Sequence, residues 1–261
     1  MGASGNDKTI VVLSDSLAYY GPQGGLSADD GRIWPNIVGQ RLGRRVELFG
    51  RIGWTSRDIW WAITQDPRIW AALPHAEVVV LAYCGMDSLP SPLPTALREQ
   101  IRYLRPNRLR QWVRDGYGWL QPRASKLGWP LALPPRVTVE YLEKVRSAIV
   151  QLRPDLPIVL CLIPTHASPY YGNVHSGRVA MTTAMADWAR ANNVPTVDFY
   201  PVTREEFADH PQDMNPDGIH WGFRCHSEIA GVVVDGLTDL LESVPDSPDD
   251  RSADKPGGPT R

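Results

Sequence analysis

Thr9-Ile10-Val11-Val12-Leu13-Ser14-Asp15-Ser16-Leu17 is the stretch on which the fold turns. Four consecutive apolar residues, three of them β-branched, stop abruptly at Ser14, Asp15 and Ser16, residue types that cap helices and form turns. An apolar run without alternation suits a strand buried on both faces, the condition of a parallel sheet clad by helices. Similar runs recur at Val46–Phe49, Val78–Tyr83, Ile158–Ile163 and Thr196–Phe199, each flanked by Gly, Pro, Asn or Asp. Helical spacing fills the gaps. Trp34, Ile37, Val38 and Leu42 share a face behind Pro35, and Tyr141, Leu142, Val145, Ala148, Ile149 and Leu152 recur until Pro154 stops them. Val179–Ala191 is a third segment, and Ile229, Val233, Leu237, Leu240 and Leu241 give a last helix ending near Ser243. Strands alternating with helices predict an α/β protein with five strands in a doubly wound core.

The chain has 261 residues, 43% of them apolar, enough for one α/β domain with a buried core over residues 1–243. Residues 244–261 are rich in Pro, Asp, Ser and Gly and cannot offset their own ordering entropy, which predicts a disordered tail. Leu97–Arg136 reads as an insertion. It carries nine basic residues against Glu99 and Asp115, interleaved with Tyr103, Trp112, Tyr117, Trp119 and Trp129. A lid over the carboxyl edge of the sheet and a solvated helical hairpin both fit that composition. The formal net charge of -2 argues against nucleic acid or an anionic membrane as partner, leaving small molecules. Three widely spaced cysteines, Cys84, Cys161 and Cys225, suit a reducing compartment. A polar Met1–Lys8 followed by a very brief apolar run does not make a signal peptide, so a cytoplasmic protein is expected. No stretch approaches the roughly 20 apolar residues of a membrane span.

Ser16 follows the first strand, at a strand-to-helix turn where a hydroxyl reaches the carboxyl edge of the sheet. There its own backbone N–H can face an oxyanion at the start of the next helix. A capping serine would read the same way. The second observation lies far off, at Asp217-Gly218-Ile219-His220, after the last strand and before the terminal helix. An Asp three residues before a His in a loop can accept the Nδ1 proton and hold Nε2 toward a nucleophile. No other cluster has metal-ligand spacing, so no metal and no cofactor are expected.

Together these blocks resemble the SGNH (GDSL-like) hydrolase family, at Ser14–Leu17, near Gly53, at Gly85–Ser88 and at Asp217–His220. The resemblance runs over about residues 8–242 and implies a flavodoxin-like three-layer α/β/α sandwich. It makes Ser16 the nucleophile, His220 the general base and Asp217 its orienter, with the Ser16 and Gly53 amides as oxyanion donors. Two departures stand out. The family's leading glycine is Ser14 here, and its Gly-x-Asn-Asp block reads Gly85-Met86-Asp87-Ser88. Asp87 therefore occupies the position of an oxyanion-hole amide. A protonated carboxyl can donate there; otherwise the side chain turns away to bind substrate or backbone.

Longer strings, Arg32–Val38, Gly50–Trp54, Gly85–Pro90 and Asp217–Trp221, are similar to an octanoyl-transferring branch of that family. That likeness implies octanoyl-CoA as acyl donor and diglucosylglycerate, a precursor of methylglucose lipopolysaccharide, as acceptor. Arg51 and Arg57 are then candidate cations for anionic groups, Trp54, Trp60 and Trp61 candidate surfaces for sugar rings, and Trp221 a further candidate for binding substrate. His166, in the turn after the fourth strand, is a further candidate for the cleft. Packing and surface solvation explain the same residues equally well. A plain esterase or thioesterase with water as acceptor, and a non-catalytic sugar-binding module, are the competing readings.

Overall fold

The computed structural model describes residues 8–93 and 100–243. The expected tail and Leu97–Glu99 of the insertion lie outside the described residues. Five strands form one parallel sheet: β1 (Thr9–Asp15), β2 (Arg45–Arg51), β3 (Ala76–Ala82), β4 (Ile158–Leu162) and β5 (Thr196–Asp198). Their order is β2-β1-β3-β4-β5. In register, Leu13 lies opposite Phe49 on one side and Leu81 on the other. The order reverses at β1, where the chain leaves β2 on one side and β3 on the other, and ligands in open α/β sheets bind outside the carboxyl ends at that switch point.

Strand parity builds the two faces. Val11, Leu13, Val79, Leu81, Leu160 and Leu162 point into one core, while Ile10, Val12, Val78, Val80, Val159 and Cys161 point into the other. The first core is closed by α2 (Ser56–Gln65), α3 (Pro67–Ala72), α5 (Pro135–Leu152) and α6 (Arg178–Ala191). The second is closed by α1 (Trp34–Leu42) and α8 (Phe223–Ser243), with Val202 and Phe207 of α7 (Tyr200–Asp209) at its margin. This is the three-layer α/β/α sandwich expected. Each fully buried aliphatic side chain contributes roughly 1.5–3 kcal/mol, so continuous apolar strands with helices on both sides are the stable arrangement.

Local chemistry sets the helix ends. Pro35 occupies the first turn of α1, and Gly43 ends it in the left-handed conformation at φ 64°. At α2, Thr55 and Asp58 form a capping box, with the Thr55 backbone N–H donating to Asp58 at 2.9 Å. The predicted insertion contains α4 (Asn107–Ser125), which packs against the Pro169–Tyr171 turn that follows β4. Gln121 donates to the Pro90 carbonyl at 2.8 Å, and Ser91 N–H donates to Pro130 at 2.7 Å, tying the insertion to the segment after β3. Among the described residues, no helix is long and apolar enough to cross a membrane.

Candidate active site

β1 ends in a single 3₁₀ turn, Ser16–Ala18, capped by Asp15, whose carboxylate accepts the Leu17 N–H at 2.9 Å. Ser14 points the other way and donates to the Ala82 carbonyl at 2.7 Å, locking the turn to β3. Ser16 is thus presented at the carboxyl edge. Its Oγ lies 2.8 Å from His220 Nε2, although 204 residues separate them. His220 Nδ1 is 2.5 Å from Asp217 Oδ2. The other oxygen, Asp217 Oδ1, accepts the Ile219 and His220 N–H groups at 2.8 and 3.0 Å. Burial works against ionising Asp217, but hydrogen bonds from the His220 side chain and these two amides outweigh it and hold the carboxyl below its ordinary range. Hydroxyl, imidazole and carboxylate therefore stand in one hydrogen-bonded series, the geometry by which a serine is deprotonated as it attacks.

The loop that carries His220 is fixed from several sides. Asn215 donates to the Gly21 carbonyl at 2.8 Å, and the Gly218 carbonyl accepts the Ala167 N–H at 2.8 Å. Gly218 has φ +70°, and a Cβ there would sit 2.4 Å from the Ala167 oxygen, so only glycine fits. The Tyr20 ring packs on His220 with centroids 4.2 Å apart. Tyr20 is held in turn by fully buried His226, whose Nδ1 accepts the Trp34 N–H at 3.2 Å and whose Nε2 lies 3.1 Å from the Tyr20 carbonyl. Neither Tyr20 nor His226 belongs to a recognisable catalytic spacing, so sequence reading passed over both.

Asp15, almost fully buried beside Ser16, has its pKa raised to about 6 by burial, partly offset by the Leu17 amide and by the nearby His220. Gly53 lies in the turn after β2, closed by Trp54 N–H to the Arg51 carbonyl at 3.2 Å. Its φ of +71° is what demands glycine; a Cβ would meet nothing within 4 Å, so crowding is not the reason.

Asp87 is fully buried, with Oδ1 accepting the Ser56 N–H at 3.0 Å and Oδ2 accepting the Thr138 hydroxyl at 2.8 Å. Of the two roles expected for it, this geometry is the backbone-binding one: the carboxylate anchors the start of α2 to α5. Burial raises its pKa to about 6 despite hydrogen bonds from Ser56 and Thr138. An acid whose folded pKa is raised contributes stability that is complete below its ordinary pKa and is lost as pH rises through 6. Asparagine satisfies both partners, accepting from Ser56 and donating to Thr138. Asp87→Asn is therefore expected to exceed the wild type at pH 8 by on the order of 2 kcal/mol, roughly 4–8 °C in Tm, with the gap closing toward pH 4.5. Thermal unfolding at both pH values checks this; a Tm difference independent of pH contradicts it.

The remaining candidates separate. Trp221 is a correction: it is fully buried, edge-on to Phe199 and His226, and offers no surface to a sugar. Parity explains this, since the residue after His220 points back into the core. Trp60 packs against the first core at its margin, as does Trp54. Trp54 also lines an open basin of about 1300 Å³ together with Arg51, Gly53, Trp61, Arg68 and Arg114. Arg57 lies over the Trp61 ring at 4.7 Å and 3.8 Å from Asp58. His166 lines a separate, narrow cavity directly beside Ser16, joined there by His175, which sequence reading missed.

Residues 15–224 match the GDSL-like Lipase/Acylhydrolase family. A protein named diglucosylglycerate octanoyltransferase from Mycolicibacterium hassiacum is 54% identical over 236 residues, covering 90% of this chain and 97% of its own. One of the same name from Mycobacterium tuberculosis is 52% identical over 235 residues, covering 90% and 94%. Among solved structures, a lipase/acylhydrolase from Enterococcus faecalis shares the fold with a TM-score of 0.59 at 14% identity, over 89% of this chain and 96% of that one. A serine after the first strand, an Asp-x-x-His loop before the last helix and a family match across both ends lead to one statement: the chain belongs to the GDSL-like lipase/acylhydrolase family.

Proposed function

We propose that the protein is an octanoyltransferase that moves an octanoyl group from octanoyl-CoA through a Ser16 ester to a hydroxyl of diglucosylglycerate. The observation that carries this reading is the 2.8 Å approach of Ser16 Oγ to His220 Nε2 in a chain more than half identical, over nearly its full folded length, to proteins of that name. Ser16 Oγ attacks the thioester carbonyl as its proton passes to His220 Nε2, and that proton leaves with the CoA thiol. The sugar hydroxyl then gives its proton to His220, its oxygen attacks the Ser16 ester, and Ser16 departs with the proton. Asp217 keeps the imidazole in the tautomer this needs.

Transfer must outrun hydrolysis. Against roughly 55 M water, a millimolar acceptor needs about four to five decades of preference, or ~6–7 kcal/mol of differential transition-state stabilisation. The basin beside Gly53 is large enough for two sugar rings, and its Arg51 and Arg114 suit the glycerate carboxylate or the CoA phosphates. An acyl-CoA donor also fits the expected cytoplasmic setting. The test is to incubate the protein with octanoyl-CoA, with and without diglucosylglycerate. CoA release that rises with acceptor, alongside an octanoyl ester seen by mass spectrometry, supports transfer. Release indifferent to acceptor, with free octanoate as sole product, makes the protein a thioesterase instead.

A further inference from the structure

His166 and His175 lie beside Ser16 with ring centroids 4.6 Å apart and planes tilted by 38°, and their hydrogen bonds fix both tautomers. His166 Nδ1 accepts the Ser168 N–H at 3.1 Å, so the neutral ring carries its proton on Nε2. On the other ring, Nε2 lies 2.7 Å from Ser88 Oγ, which itself sits 2.7 Å from the Gly85 carbonyl. That carbonyl only accepts, so the one Ser88 proton goes to it and His175 Nε2 must donate to Ser88. His175 Nδ1 is left as an acceptor. Both leftover atoms, the His166 Nε2–H and the His175 Nδ1 lone pair, are buried without a hydrogen-bond partner among the described residues.

Orphaned buried polar groups are rare and costly, and here a donor and an acceptor belong to two rings that line one cavity. They line a cavity of about 30 Å³ with Ser16, Gly85, Met86, Leu89, Pro164 and Ile219. A single water needs about 10–15 Å³ on this measure, so the cavity admits a hydroxyl-sized group. Burial holds both rings neutral, His166 at a pKa of about 4 and His175 well below its ordinary value, so neither attracts a carboxylate or a phosphate. An alcohol gives one proton and takes one, which is the complement of this pair.

We propose that His166 and His175 form a subsite beside Ser16 that holds an uncharged hydroxyl of the acyl acceptor, with His166 Nε2–H donating to its oxygen and His175 Nδ1 accepting its proton. The inference rests on the transferase reading and deepens it. The pair positions the acceptor and leaves proton transfer at the reacting bond to His220. Because Ala167 N–H is bonded to the Gly218 carbonyl, the His166 loop and the His220 loop form one unit, so a hydroxyl gripped by the pair is held in register with the base.

The test compares His166→Phe and His175→Phe, which keep ring volume and remove the nitrogens, with His166→Gln, which restores a donor. With octanoyl-CoA and diglucosylglycerate, both Phe variants are expected to raise the acceptor KM at least tenfold and to shift the acyl group tenfold toward water. His166→Gln is expected to recover to within about threefold of wild type. Ser88→Ala, a small change that unfixes the His175 tautomer, is expected to move acceptor KM in the same direction and guards against misfolding of the larger replacements. Unchanged acceptor KM, or a loss of donor-only CoA release equal to the loss of transfer, overturns the proposal. If the wild type forms no octanoyl ester at all, the transferase reading fails by itself. The subsite is then judged by calorimetric binding of methyl α-glucoside to the Ser16→Ala protein. Binding that weakens tenfold on adding His175→Phe upholds it, and absent or unaltered binding overturns it.

Discussion

Alanine at position 16 is expected to lower octanoyl transfer by about four to six orders of magnitude, and His220→Ala by a similar factor, while the double variant loses no more than either single one. The non-additivity follows from the geometry. With Oγ removed, His220 Nε2 has no nucleophile to activate; with the imidazole removed, Ser16 is an ordinary alcohol at neutral pH. Stability tells the two effects apart. Among the described residues Ser16 Oγ makes a single side-chain bond, so its loss changes unfolding free energy by no more than about 1 kcal/mol, far too little to mimic inactivation by unfolding. Single-turnover acylation with octanoyl-CoA is the measurement. Retention of more than a hundredth of wild-type rate in Ser16→Ala, in material free of host esterase, eliminates the acyl-enzyme.

Gly218→Ala is the second large effect, and it acts without touching a reacting atom. The added methyl would stand 2.4 Å from the Ala167 oxygen and 2.8 Å from Ser168 Cα, both backbone, at a φ of +70° that resists any side chain. The loop between Asp217 and His220 must shift to relieve the contact. A displacement of about 1 Å at the imidazole lowers turnover roughly 10²-fold, and the strain together with the lost Ala167 bond costs about 2–4 kcal/mol. Since the same contact joins the His166 loop, acceptor KM rises with the fall in kcat. A variant with wild-type Tm and wild-type turnover shows that the two loops are not coupled.

Much of this architecture was legible because it is written in periodicity. The five apolar runs became the five strands, and the apolar stripes ending at Leu152, Ala191 and Ser243 became α5, α6 and α8. Both ends of the Ser16 and His220 pairing could be read as well: Ser16 directly follows the first strand, and His220 lies in the loop before the last helix. What escaped was whatever depends on a partner distant in sequence. Asp87 meets Ser56 and Thr138, 31 and 51 residues away, and no local pattern distinguishes that anchor from an oxyanion donor. His175 finds Ser88 across 87 residues. The helix α2 had a signal in its Thr55-x-x-Asp58 box, masked by the Trp60-Trp61 pair, which reads equally as a ligand platform. Trp221 misled by adjacency, standing next to His220 in sequence but on the opposite side of the backbone.

Ser16 and His220, which meet at the carboxyl edge of the sheet, are separated by 204 residues of synthesis. At about 5–20 residues per second, that is a delay of roughly 10–40 s during which the growing polypeptide holds a serine with no base. β1 is also an inner strand, bordered by β2 and β3, so its edge cannot be finished until much of the sheet has been made. A nascent chain thus carries Ser16 without its His220 partner until the loop that precedes the last helix has been made and folds back onto β1.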